Sequence, residues 1–113
     1  MKYVLGTAQF GLNYGISNNT GKVSSTNIEK IFRTAIDQGV NYLDTANLYG
    51  DAEDKIGTFF DLTKQFKLIT KIAHTKEDYK IKENIQFIKE ELSISLDKMK
   101  REKVDILLVH NTK

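Results

Sequence analysis

Four short apolar runs, YVLGTA, VNYLDTA, KLITKI and VDILLVH, are separated by stretches in which apolar residues recur every three or four positions. This alternation constrains the fold of the 113-residue chain more than any other feature. A strand followed by a helix and another strand joins parallel neighbours through a crossover, so the sequence predicts a βαβαβαβ unit around a parallel sheet. The first strand is expected over residues 3–8, followed by a glycine-punctuated loop. The first helix spans SSTNIEKIFRTAIDQG, with Ile28, Ile31, Phe32, Ala35 and Ile36 on its buried face. Thr26 and Glu29 have capping-box spacing at its start, and Gly39 supplies a left-handed residue at its end. The second helix, DAEDKIGTFF, takes Asp51 as N-cap and turns Ile56, Phe59 and Phe60 inward, while Gly57 permits close packing. The third covers residues 82–101 and buries Ile85, Ile88, Leu92, Leu96 and Met99. The last strand is apolar almost throughout, as in a strand covered on both faces.

Hydrophobic residues make up 40% and charged residues 28% of the chain, the balance of a globular domain. The net charge is +2 and no basic run is interleaved with aromatics, so neither nucleic acid nor a membrane surface is expected as the main partner. The absence of cysteine removes disulfides, thiolate catalysis and cysteine-bound metal. His74 and His110 lie too far apart for a helical zinc motif, and no metal is expected. The apolar run before Gly6 is shorter than a secretory signal or membrane span requires, which makes a cytoplasmic location the expectation. Asn18-Asn19-Thr20 then reads as a chance glycosylation match.

Each of the last three strands ends in an ionisable side chain: Asp44, Lys71 and His110. In a (β/α) barrel the C-terminal strand ends gather at one mouth, where residues distant in sequence build the active site. Tyr49 lies in the loop after one of these ends. Each residue alone has a structural reading: Asp44 as a turn cap, Tyr49 as a packing residue, Lys71 as a snorkelling surface lysine, His110 as an ordinary strand-end histidine. The glycines fit neither a dinucleotide fingerprint, because Gly6, Gly11 and Gly15 are too widely spaced, nor a phosphate loop, because Gly15 and Gly21 enclose five residues. Asp51, Glu53 and Asp54 read as first-turn acids favoured by the helix dipole, and Asp97 with Arg101 as part of a solvated face.

The segments LGTAQFG, GVNYLDTANLYGDAE, LITK and DILLVH, taken in order, resemble the N-terminal half of an aldo-keto reductase, including that family's Asp-x-x-x-x-Tyr-Gly block. The resemblance implies an α/β fold, a parallel (β/α)8 TIM barrel, of which this chain carries the first four strands and three helices. Residues 1–113 are then expected to be the N-terminal half of the barrel and inactive alone, since a complete barrel takes about 200 residues or more. The resemblance also assigns a catalytic tetrad of Asp44, Tyr49, Lys71 and His110. It places Gly6, Thr7, Ala8 and Asp44 at the nicotinamide end of the cofactor, NADP(H) or alternatively NAD(H), with an aldehyde or ketone as substrate.

The chemistry of those residues is coherent. Carbonyl reduction needs a hydride, which the cofactor supplies, and a proton for the oxygen. Tyr49 would donate the proton; a free tyrosine titrates near pH 10, and a neighbouring cation such as Lys71 favours its ionised form. Asp44 would hold the lysine charged and in place, and His110 would hydrogen-bond the carbonyl oxygen. His74 matches no tetrad position, and Phe10, Asn13 and Tyr14 are assigned to the substrate entrance. Two other readings stay open: a barrel aldolase using Lys71 as Schiff-base nucleophile, and a non-catalytic, flavodoxin-like α/β binding module.

Overall fold

The computed structural model describes residues 2–12, 22–73 and 80–110. The first strand, β1 (Val4–Gly6), leads into a short helix, α1 (Ala8–Gly11), and the long helix α2 (Ser25–Asp37) returns the chain to β2 (Tyr42–Asp44). Two short helices, α3 (Ala52–Thr58) and α4 (Phe60–Thr63), precede β3 (Lys67–Ala73), and α5 (Ile81–Met99) crosses to β4 (Ile106–His110). Among the described residues the strands form one parallel sheet in the order β1-β2-β3-β4, as the alternation predicts.

Register divides the sheet into two faces. Leu5 pairs with Leu43, Leu43 with Leu68, and Thr70 with Leu107. Because side chains alternate along a strand, this row and Ile72 share one face. Leu43, Leu68, Thr70 and Ile72 are fully buried there beneath the helices. The other face carries Gly6, Asp44, Ile69 and Lys71, together with Val4, Ile106 and Leu108, which are exposed. The expectation that both faces of the last strand are covered therefore does not hold. Leu108 is 46% and Val109 43% exposed, since β4 is an edge of the sheet and pairs on one side only.

Helix α2 packs its apolar stripe through Ile28, Phe32 and Ala35. Phe32 is the centre of the core, edge-on to Phe10 at 5.3 Å and 6.1 Å from both Phe59 and Phe66. Truncation to Phe32→Ala should cost about 3–5 kcal/mol, the range for buried aromatics that leave a cavity. The denaturant midpoint of the variant should fall accordingly, and a shift smaller than that for Ile31→Ala at the rim of the same stripe would contradict this placement.

The ends of α2 are instructive. Gly39, at φ +77°, donates to the Ile36 carbonyl, and Val40 donates to that of Ala35, the paired bonds of a left-handed helix terminus. At the start, the expected Thr26–Glu29 capping box is not the cap. Ser24 caps instead, accepting from the Asn27 N–H at 3.4 Å, because the Val23 N–H donates to the Gln9 carbonyl and holds the chain extended up to that point. Glu29 faces Arg33 at 3.5 Å.

Three further expectations are corrected. Asp51 occupies the N-cap position of α3 but makes no side-chain cap bond; its carboxylate pairs with Lys22 at 2.7 Å, which holds it below the usual carboxylate range. The second helix breaks at Phe59, which is half-buried yet packs against the core as expected; Phe60 is only half-buried, and Ile56 is fully buried. On α5, Met99 is buried and Ile88, Leu92 and Leu96 are half-buried, but Ile85 is 49% exposed. Gly57 does allow the close packing expected of it: a Cβ there would sit 1.9 Å from the Lys98 carbonyl oxygen.

Arg101 is not part of a solvated face. Its guanidinium donates to the Thr63 and Phe66 carbonyls and pins the α4–β3 turn beneath the α5–β4 turn. Burial pulls its pKa down, opposed by neighbouring Asp105.

Candidate active site

The C-terminal ends of β1, β2 and β3 converge on Asp44. The Thr7 N–H and hydroxyl both donate to the Asp44 carbonyl at 3.0 Å, so the β1 tip fixes the backbone of the β2 tip. Past β2 the chain stays beside β3: the Thr45 N–H donates to the Ile69 carbonyl at 2.8 Å and the Asn47 N–H to the Lys71 carbonyl at 3.0 Å. Asp44 pairs in register with Ile69, two residues before Lys71, and alternation returns Lys71 to the same face.

The Lys71 ammonium is nearly enclosed, its side chain 10% exposed, and donates to the Asp44 carboxylate and to the Thr45 carbonyl at 3.0 Å. It also stands 5.2 Å from the centroid of the Tyr49 ring, within range of a cation–π contact. Asp44 is itself 36% exposed, so its carboxylate is reachable from the open face of the sheet. A buried ammonium survives only with good partners, and this one has an anion, a carbonyl and an aromatic face.

Tyr49 is held from two sides. Its N–H donates to the Ala46 carbonyl, and its carbonyl accepts from Ala52 at the start of α3. On the other side Gly11 presses against the turn: a Cβ on Gly11 would lie 1.7 Å from the Tyr49 carbonyl oxygen, and one on Gly50, at φ +54°, would lie 2.2 Å from the Gly11 oxygen. Two glycines thus let α1 and the Tyr49 loop meet backbone to backbone.

Asp44, Tyr49 and Lys71 are brought together. His110 ends β4 opposite Ala73, at a register position two residues beyond the partner of Lys71. Of the residues assigned to the nicotinamide end, Gly6 is exposed at the β1 tip, Ala8 is half-buried and Thr7 is fully buried, its hydroxyl spent on Asp44. Phe10 does not line an entrance; it is buried in the core against Phe32. Asn13, Tyr14 and His74 lie outside the described residues.

Sequence reasoning missed Glu53. Read as a first-turn acid, it is 2% exposed, and its two carboxyl oxygens accept from the Thr70 and Ser95 hydroxyls at 2.8 Å each. Burial pushes its pKa up, and these hydroxyls and Lys98 only partly offset it. The available signal was Thr70, a polar residue between Leu68 and Ile72 on the buried face of β3, where an internal partner is required.

The β1 tip is also open beside Asp44. Gly6 leaves open space at the β1 tip, where an added Cβ would meet nothing within 4 Å, and the accessible Asp44 carboxylate can accept from a sugar hydroxyl. Among the described residues no three His, Cys, Asp or Glu side chains are grouped to hold a metal ion, and no described helix is long and apolar enough to cross a membrane.

Comparison with solved structures returns the same architecture. Two presumed aldo-keto reductases from Pseudomonas aeruginosa superpose with TM-scores of 0.78 and 0.75 at 21% and 20% identity. The match covers 96% of this chain in each case but only 42% and 40% of theirs, so the four-stranded sheet corresponds to part of a (β/α)8 barrel. No curated protein matches. The sequence model of the Aldo/keto reductase family, however, matches residues 2–113, and with nearly every residue inside that match the chain belongs to the aldo-keto reductases.

Proposed function

We propose that residues 1–113 form the N-terminal half of an aldo-keto reductase barrel, and that the complete barrel reduces an aldehyde or ketone to an alcohol, or runs the reverse oxidation. The observation that carries this reading is the Lys71 ammonium, enclosed by Asp44 and the Thr45 carbonyl and set over the Tyr49 ring. NADP(H), or alternatively NAD(H), supplies the hydride. Gly6, Ala8 and the Asp44 carboxylate would hold its nicotinamide end, with Thr7 fixing the strand tip beneath.

Tyr49 is the proton donor to the carbonyl oxygen. A cation beside a phenol favours release of its proton, and Lys71 is that cation. Asp44 holds the lysine charged and fixes its direction, so the charge is in place before substrate arrives. His110 donates a hydrogen bond to the carbonyl oxygen from the β4 tip. The pairing of Lys71 with a carboxylate supports this reading over a Schiff-base aldolase, whose lysine must attack as a neutral amine. A cytoplasmic setting is part of the same proposal.

The test is isotope transfer. The complete barrel is incubated with a panel of aldehydes and NADPH carrying deuterium at the transferable position, and the alcohols are analysed by mass spectrometry. Deuterium on the former carbonyl carbon, dependent on the protein, is the expected result. A borohydride-trapped adduct on Lys71 without deuterium transfer would replace this reading with the aldolase.

A further inference from the structure

The Glu53 carboxyl is costly. It is enclosed by α3, β3 and α5, and among the described residues it forms no ion pair. The charged groups that act on it are Lys98 of α5 and Asp54 of its own helix. A carboxyl buried on two neutral hydroxyls contributes little net stability compared with an apolar side chain of similar size. What it does contribute is direction.

Its two bonds connect particular places. Glu53 sits in the first turn of α3, whose Ala52 N–H is bonded to the Tyr49 carbonyl. Thr70, the donor to Oε2, immediately precedes Lys71 on β3. Ser95, the donor to Oε1, belongs to α5. One carboxyl oxygen thus ties the helix that follows the Tyr49 loop to the strand carrying Lys71, and the other ties that helix to α5.

We infer that Glu53 is a positioning residue which, through Thr70, fixes the Tyr49 phenol over the Lys71 ammonium. The inference rests on the roles proposed above for Tyr49 and Lys71. It makes the two arms of the carboxyl unequal. Thr70→Val and Ser95→Ala each remove one hydroxyl from the same buried group, so both should lower stability to a similar degree. Only the Thr70 arm reaches the strand that carries Lys71.

The experiment compares these variants in the complete barrel, with Glu53→Gln as the conservative control that retains hydrogen-bonding capacity at both oxygen positions. The ring resonance of Tyr49, labelled at the phenolic carbon and identified by its loss in Tyr49→Phe, is recorded without cofactor. It should shift in Thr70→Val and stay in place in Ser95→Ala and Glu53→Gln. The kcat of Thr70→Val should fall about tenfold to a hundredfold, the cost of misplacing a reacting group by about 1 Å, with KM for the carbonyl substrate nearly unchanged. Ser95→Ala should stay close to the parent. An unmoved Tyr49 resonance in Thr70→Val, or equal kcat losses that follow stability in both variants, would overturn the inference. If the resonance moves while Tyr49→Phe remains fully active, the tie stands as geometry and it is the proton-donor role that fails; positioning for catalysis is then overturned with it.

Discussion

Tyr49→Phe should lower the rate of carbonyl reduction in the complete barrel by roughly a hundredfold to ten-thousandfold, the usual worth of a general acid. Cofactor affinity should stay within about threefold of the parent, because an interaction made only in the transition state lowers kcat without weakening binding. The substitution is unusually clean here. The backbone bonds to Ala46 and Ala52 do not involve the side chain, the contact of Gly11 is with the Tyr49 main chain, and a phenylalanine ring can still lie against the Lys71 ammonium. What is lost is the hydroxyl. Single-turnover oxidation of NADPH with one aldehyde gives the rate, and a fluorescence titration gives the affinity. A variant that kept most of its rate would move the proton donor elsewhere.

The features legible in the sequence are those that depend on local pattern. The apolar runs announce the strands, and the spacing of Ile28, Phe32 and Ala35 announces the buried face of α2. Gly39 is legible because only a left-handed residue can close that helix end as observed. Strand lengths were less so. The first run suggests six residues, yet β1 pairs over three, because Thr7 turns its N–H and hydroxyl to the Asp44 carbonyl and Ala8 already begins a helix. The apolar content of β4 reads as cover on both faces, but cover depends on neighbours that a strand's own sequence does not specify. Asp44, Tyr49 and Lys71 could be named together from the order of motifs, whereas the enclosure of the ammonium by the Thr45 carbonyl could not. Glu53, Thr70 and Ser95 are separated by 17 and 42 residues from bond to bond, and nothing local relates them. Arg101 was misread for the same reason: its acceptors, the Thr63 and Phe66 carbonyls, are main-chain groups that carry no sequence signal.

The second large effect concerns Asp44 and Lys71 as one device. The ammonium is almost enclosed and depends on the Asp44 carboxylate, and Asp44 in turn has the lysine as its partner on the open face. Removing either should therefore remove the charge that acts on Tyr49. Asp44→Asn leaves the nearly enclosed ammonium with only neutral acceptors, an unfavourable arrangement. Lys71→Met keeps the stem's packing and deletes the charge. Each single variant should lose on the order of a hundredfold or more in the chemical step, since each disables the same general acid.

The decisive measurement is the rate of the chemical step for Asp44→Asn, Lys71→Met and the double variant, with one aldehyde at saturating cofactor. If the pair acts as a unit, the double variant should fall within about threefold of the worse single, because residues that work together are strongly non-additive. If instead the two losses multiply as independent effects, Asp44 does not act through Lys71, and the account of how this site makes Tyr49 a proton donor is contradicted.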